Sequence, residues 1–329
     1  MARRAVAYAP TARSTVVALR PVRRADRERP LWRPPGVRPL DESGPFQGIG
    51  RSLTFPFPQW RDSDEYETVF FDEGRGHPLV FVHGLGGNAT HFEPILADLA
   101  RRNRVIGLDL VGLGWSRKPK VDYSIELLRD HLLHFLARHE IERPTLVGHS
   151  LGGAVCLAAA LARPGEFTSL ALLCAAGVAP LPTWMRAAAP IFLRERLLFY
   201  TLGLGANFIL DHVFVDREDR SPYVRWFRSS AVRDDPGAPN LREFARVCET
   251  LCTDVTRRDY SRQLGELELP VLALWGDRDR LTHQRGVLRQ IGKIRRLRTV
   301  ILRRCGHMPM VERPAETIFQ LERLLDQPP

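Results

Sequence analysis

The chain has 329 residues, 48 Lys plus Arg against 38 Asp plus Glu, a formal net charge of +10 and 44% hydrophobic residues. This is ordinary globular composition, which excludes a disordered, collagen-like or disulfide-scaffold protein, and the length suits one large domain or two. No uninterrupted apolar run reaches the roughly 18 residues a transmembrane helix needs.

The charge is unevenly placed. Residues 1–60 hold 11 Arg against four acids (Asp26, Glu28, Asp41, Glu42), so the rest of the chain is close to neutral. Only 3 of the 48 bases are lysine, so the arginine abundance reads as compositional bias before phosphate recognition. No nucleic-acid partner is expected. The five cysteines (Cys156, Cys174, Cys248, Cys252, Cys305) contain no CxxC pair. Cys156 and Cys174 sit in apolar runs as small core residues, and Cys248 and Cys252 lack a second ligand pair for zinc. A reducing, cytoplasmic setting fits this set, with organelle targeting or membrane association through the N-terminal segment as the alternative.

Taken in chain order, residues 1–60 hold 9 of the 25 prolines and no sustained period of 2 or 3.6. Proline fixes φ and removes a donor, so this stretch is expected to be a flexible or surface-draped arm. Its first 25 residues carry six Arg and no acid, as a transit peptide or a weak contact for anionic surfaces would. From residue 66 short apolar runs alternate with amphipathic segments. Leu79–Val82, Arg104–Leu110, Thr145–Val147, Ser169–Leu173, Val271–Leu274 and Thr299–Leu302 are too short for helices and too continuously apolar for a one-sided sheet. Helical patterns occupy Phe92–Ala100, Ile125–Arg138, Leu151–Ala162 and Gln284–Ile291. The alternation predicts an α/β fold with a doubly wound, mostly parallel sheet.

One connection breaks the rhythm. About 90 residues separate the strand ending near Ala175 from the one starting near Val271, far beyond an ordinary connection. The expected organisation is a basic arm (1–60), a first core part (61–176), an inserted helical cap (177–267) and a second core part (268–329). Trp184, Phe192, Phe199 and Trp226 are expected to line an apolar substrate pocket beneath the cap. Arg194 and Arg196 read as an exposed helix face.

The chemistry concentrates at strand ends. Gly148-His149-Ser150-Leu151-Gly152 follows one strand and opens a helix, the context in which a strained turn lifts a serine hydroxyl off the sheet. Such a hydroxyl needs a base and the base an orienting carboxylate. His307 follows the last strand on a glycine-marked turn. Asp279, three residues beyond Gly276, is the favoured carboxylate, with Asp277 as the alternative. His83-Gly84-Leu85-Gly86-Gly87 offers backbone donors, so the N–H groups of Leu85 and Leu151 are the expected oxyanion hole. His83 reads as a brace of this loop and His149 as a packing residue. His131, His134 and His139 read as solvent-facing positions of an amphipathic helix.

With these residues in place, residues 66–325 resemble the α/β-hydrolase superfamily in its capped branch, which includes carboxylesterases, meta-cleavage C–C hydrolases, epoxide hydrolases and haloalkane dehalogenases. The match rests on HGLGG (83–87), the Asp109, Gly112, Gly114, Ser116 turn, GHSLGG (148–153), GDRD (276–279) and GH (306–307). The resemblance implies a serine hydrolase with Ser150, Asp279 and His307 as catalytic residues, needing no cofactor and no metal. Epoxide hydrolases and dehalogenases use aspartate where this chain has Ser150. Meta-cleavage hydrolases usually have asparagine at the place of His149. A small-molecule ester with an apolar part is the expected substrate. C–C bond hydrolysis, acyl transfer or perhydrolysis, and non-enzymatic ligand binding are the alternatives. Oligomeric state is not legible, and nothing in the family matches residues 1–60.

Overall fold

The computed structural model describes residues 60–61, 68–114, 116–180, 241–282 and 284–326, with isolated positions between 183 and 215. In chain order the strands are β1 (Trp60–Arg61), β2 (Val69–Gly74), β3 (His77–Val82), β4 (Asn103–Leu108), β5 (Thr145–His149), β6 (Ser169–Leu173), β7 (Val271–Gly276) and β8 (Leu297–Leu302). The helices are α1 (Glu93–Leu99), α2 (Ile125–Arg138), α3 (Leu151–Ala162), α4 (Leu241–Arg257), α5 (Gln284–Ile291), α6 (Pro309–Glu312) and α7 (Pro314–Leu325). The strands form one sheet in the order β1-β2-β4-β3-β5-β6-β7-β8. From β4 to β8 every pairing is parallel, while β2 runs antiparallel to β4 and β1 to β2.

Side chains alternate across a strand with period two, and here both faces are apolar. Val80, Val82, Ile106, Leu108, Leu146, Leu170, Leu172, Ala273 and Trp275 point to one face, which α2, α3, α4 and α5 cover. Leu79, Phe81, Val105, Val147, Ala171, Leu173, Leu272 and Leu274 point to the other, beneath α1, α6 and α7. The six apolar runs read from the sequence are all strands, and the four helical patterns are all helices. The sheet is the expected doubly wound one. Strand β2 and helices α4, α6 and α7 were not singled out in the sequence. At the turn from Asp109 to Ser116, Asp109 Oδ1 accepts from Ala89 N at 2.7 Å, and Ser116 Oγ donates to the Asp109 carbonyl at 2.7 Å.

Two histidine assignments need correction. His131 and His139 are buried, not solvent-facing. Helix α2 buries Ile125, Leu128, His131, Leu132, Phe135 and Leu136, a stripe at helical spacing that includes His131. Val111 N–H donates to His131 Nδ1 at 3.3 Å, leaving Nε2–H to meet Thr68 Oγ1 at 2.7 Å. His139 packs on the rings of Phe70 and Phe135. His134 alone of the trio is exposed.

Of the expected arm only Trp60 is described, and of the expected cap mainly α4. Helix α4 buries Val247 and Leu251 in the core, and Asp254 and Thr250 accept from Ile125 N and Tyr123 N at the entry to α2. Arg258 ties the two helices by pairing with both Asp254 and Glu126. All five cysteines are free, and Cys156 and Cys174 are buried as expected. No described helix is long and apolar enough to cross a membrane.

Candidate active site

Strand β5 hands Ser150 to helix α3 through a backbone that few residues tolerate. Ser150 has φ 51° and ψ −116°, and a non-glycine residue persists there only when its surroundings hold it. They do: Ser150 N–H donates to the Leu173 carbonyl at 3.0 Å, and the Ser150 carbonyl accepts from Gly153 N and Ala176 N at 3.0 and 2.9 Å. The flanking glycines follow from crowding. A Cβ at Gly148 would lie 2.5 Å from the Gly152 carbonyl oxygen, and one at Gly152 only 2.1 Å from that of Val82. The elbow thus packs against β3 itself, and Ser150 stands at the N-terminus of a twelve-residue helix with its positive dipole end. Ser150 is partly exposed, and its hydroxyl bonds to no described residue.

The glycine-rich loop after β3 closes on the same point. A Cβ at Gly84 would come within 3.1 Å of Ser150 Cβ and 2.9 Å of His149 Nδ1. Gly87 N–H donates to the Gly84 carbonyl at 3.1 Å, and Gly86 takes φ +69°, which curls the loop back. Among the described residues, neither Leu85 N–H nor Leu151 N–H has a backbone acceptor. His83 braces the loop: its Nδ1–H donates to the Gly84 carbonyl at 2.8 Å while Nε2 accepts from Leu110 N at 3.1 Å. Burial pushes its pKa down to about 4, against the pull of the Gly84 bond, so it braces as a neutral ring.

His307 and Asp279 meet at the carboxyl ends of β7 and β8. His307 Nδ1 lies 3.1 and 3.0 Å from the two Asp279 carboxylate oxygens. Asp277 is exposed and instead accepts from Cys305 N at 3.2 Å, so it fastens the turn rather than the imidazole. Burial alone would raise the Asp279 pKa. The His307 bond and charge, the Thr282 hydroxyl and Leu281 N–H outweigh it, and the carboxyl lies well below its usual range. His149 precedes Ser150 in the chain and packs against His307. Its Nε2–H donates to the His307 carbonyl at 2.8 Å and its ring lies 4.9 Å from the His307 ring. Burial, then the neighbouring His307 charge, hold His149 far below the ordinary histidine pKa, so it does not compete for the proton.

Three supporting residues were not found from the sequence. Thr282 Oγ1 reaches Asp279 Oδ2 at 2.5 Å. The buried Cys174 thiol shares the cluster, with its ligand atom and those of Asp279 and His307 all within 4.8 Å of one another. Glu312 accepts from Gly306 N at 2.9 Å, Met308 N at 3.4 Å and Val215 N at 3.0 Å, and the Val213 carbonyl accepts from His307 N at 2.8 Å. These contacts staple the His307 loop to residues 213–215. The residues expected to line a pocket, Trp184, Phe192, Phe199 and Trp226, lie outside the described residues, as does Arg196. Arg194 is exposed.

A strained serine on a helix N-terminus, two N–H groups without a backbone acceptor among the described residues and a histidine anchored by a carboxylate form a constellation suited to acyl transfer. Comparison with known proteins agrees with the superfamily. Residues 77–314 match the family model described as alpha/beta hydrolase fold. Lipase 1 of Psychrobacter immobilis is 29% identical over 259 residues, 76% of this chain and 77% of its own. The 2-hydroxy-6-oxo-2,4-heptadienoate hydrolase of Pseudomonas putida is 39% identical over 116 residues, covering 34% of this chain and 42% of that enzyme. Among solved structures, that of a membrane phospholipase A, described as a bacterial virulence factor, is 29% identical with a TM-score of 0.65, covering 82% of this chain and 86% of its own. The family match spans both halves of the sheet and every strand end that carries a candidate catalytic group, and the chain belongs to the α/β-hydrolase family as a hydrolase.

Proposed function

We propose that the protein cleaves carboxylic esters with an apolar acyl or alcohol part, through an acyl-enzyme on Ser150. His307 takes the Ser150 proton as the hydroxyl attacks the carbonyl, then returns it to the leaving alcohol. Asp279 holds the imidazole in the tautomer with Nδ1–H towards the carboxylate, which leaves Nε2 as the base. The N–H groups of Leu85 and Leu151 receive the developing oxyanion, each donor lowering the barrier by about 3 kcal/mol. Water then attacks the acyl-enzyme by the same proton route. No metal or cofactor takes part in this scheme.

The observation that carries this reading is the Asp279–His307 pair, seated on the loop whose carbonyl the elbow residue His149 holds. The names of Lipase 1 and the membrane phospholipase A speak for ester substrates over the 2-hydroxy-6-oxo-2,4-heptadienoate named for the Pseudomonas relative. A panel of p-nitrophenyl esters of graded acyl length tests it. The parent should hydrolyse the panel with a preference for apolar chains, and Ser150→Ala should lose at least about 10⁴-fold in kcat. Mass spectrometry should find the acyl adduct on Ser150. Retained turnover in Ser150→Ala would refute the proposal.

A further inference from the structure

The near neutrality of residues 61–329 conceals a separation of charge. Residues 280–311 contain nine bases, Arg280, Arg285, Arg289, Lys293, Arg295, Arg296, Arg298, Arg303 and Arg304, and no acid. Outside that segment residues 61–329 carry 28 bases against 34 acids, so the rest of the body is net acidic. Compositional arginine bias cannot produce this, because a bias in base type does not remove every carboxylate from 32 consecutive residues.

The fold gathers the segment on one flank. It comprises α5, the crossover leading from β7, and β8, which among the described residues pairs only with β7 and ends the sheet. Val287, Ile291 and Ile294 turn inward to the core, which leaves Arg289, Lys293, Arg295, Arg296, Arg303 and Arg304 exposed. Helix α5 runs from the carboxyl ends of the strands to their amino ends and β8 returns, so the bases line the full height of the edge. Among the described residues no carboxylate pairs with Arg289, Arg295, Arg303 or Arg304. Two large apolar side chains stand among the charges, Leu281 at 45% and Leu288 at 43% exposure. Leu281 lies two residues past Asp279, and Arg303 and Arg304 open the loop to His307, so the upper end of the band adjoins the candidate catalytic groups.

We propose that this α5–β8 flank is a docking surface for an anionic lipid bilayer. Clustered bases are drawn to the negative surface potential of such a bilayer, each adding an increment that falls off within a Debye length. Exposed leucines between them enter the headgroup boundary. That pairing of charge with apolar side chains favours lipid over nucleic acid, whose phosphates offer nothing to bury a leucine. The segment is separate in sequence from the arm expected at residues 1–60.

The test uses the full chain and sedimentation with vesicles of phosphatidylcholine alone or mixed with phosphatidylglycerol. The parent should pellet with the mixed vesicles only, and salt should release it. Arg289→Gln/Arg295→Gln/Arg303→Gln should weaken partitioning about a hundredfold, and Leu281→Ser/Leu288→Ser should weaken it further. The control Arg75→Gln/Arg101→Gln/Arg102→Gln, also of exposed bases but elsewhere, should lose far less. Turnover of a short soluble ester should be unchanged in the arginine variants and in Leu288→Ser alone, which separates docking from the hydrolase reading. Failure of the parent to bind mixed vesicles, or equal binding by the flank variant, would overturn the proposal. So would the flank variant losing affinity for DNA while the parent ignores vesicles.

Discussion

Thr282 has one hydroxyl hydrogen and two acceptors in reach, Asp279 Oδ2 at 2.5 Å and the Cys174 carbonyl at 3.2 Å. The shorter contact takes the hydrogen, and the hydroxyl oxygen then accepts from the buried Trp275 Nε1–H at 3.1 Å. Trp275, Thr282 and Asp279 thus form a chain that ends on His307. Replacing Thr282 by Val removes a charge-assisted bond while keeping the shape, so kcat/KM should fall about tenfold to a hundredfold. Thr282→Ser should restore it. A loss in Val that Ser does not rescue would mean the methyl packing matters instead of the bond. Asp279 itself was legible, because its distance from Gly276 implied a loop able to aim a side chain. Thr282 was not, since a hydroxyl three residues on becomes a partner only once that loop has folded. Glu312 was equally silent: its three N–H donors come from residues 215, 306 and 308, and no spacing in the chain announces them.

At the level of elements, continuous apolar runs announced the six parallel strands because both of their faces are covered. Strand β2 escaped because Val69, Phe70 and Phe71 give way at once to Asp72 and Glu73, which its antiparallel place near the sheet edge permits. Helix α7 carries Thr317, Leu321 and Leu324 at helical spacing, a pattern open to reading that was passed over. Burial of polar groups was the least legible feature, as His131 shows, because a polar side chain on an apolar stripe looks like a boundary until its partners are known. Glu93, in the first turn of α1, is the sharper case. Burial pushes its carboxyl from an ordinary value of 4.5 up to about 8. Between those values the folded protein holds a proton that the unfolded chain has released. Stability should therefore be flat below the window and fall as pH rises through it, by about 1.4 kcal/mol per unit at most. The helix N-terminus favours the ionised form and trims this by up to about 1 kcal/mol. Urea denaturation at pH 5 and pH 8 checks it: Glu93→Gln should flatten the difference, gaining on the parent at pH 8. An unchanged slope would place the proton uptake elsewhere.

For the molecule as a whole, the long connection between β6 and β7 raises the question of what the sheet needs from it. A parallel crossover requires one helix packed on the sheet, and α4 supplies it, with Ala245, Val247, Cys248 and Leu251 buried. Between residues 181 and 240, among the described residues, only Phe214 is a buried member of either core cluster. Yet this same stretch grips the His307 loop through the Val213 carbonyl and Val215 N–H. The expectation is a division of labour. Replacing residues 181–240 by a flexible linker long enough to reach α4 should preserve cooperative thermal unfolding and the far-UV spectrum. It should lower turnover of a short ester by about tenfold or more, because two hydrogen bonds that position His307 are gone. It should also erase any preference for long acyl chains, if the aromatic residues of the expected cap create that preference. Loss of folding would show that the core depends on the insertion, and unchanged turnover would show that the loop keeps His307 in place through Glu312, Gly306 and Met308 alone. The two readouts are separable, because catalysis can fail while the fold stands.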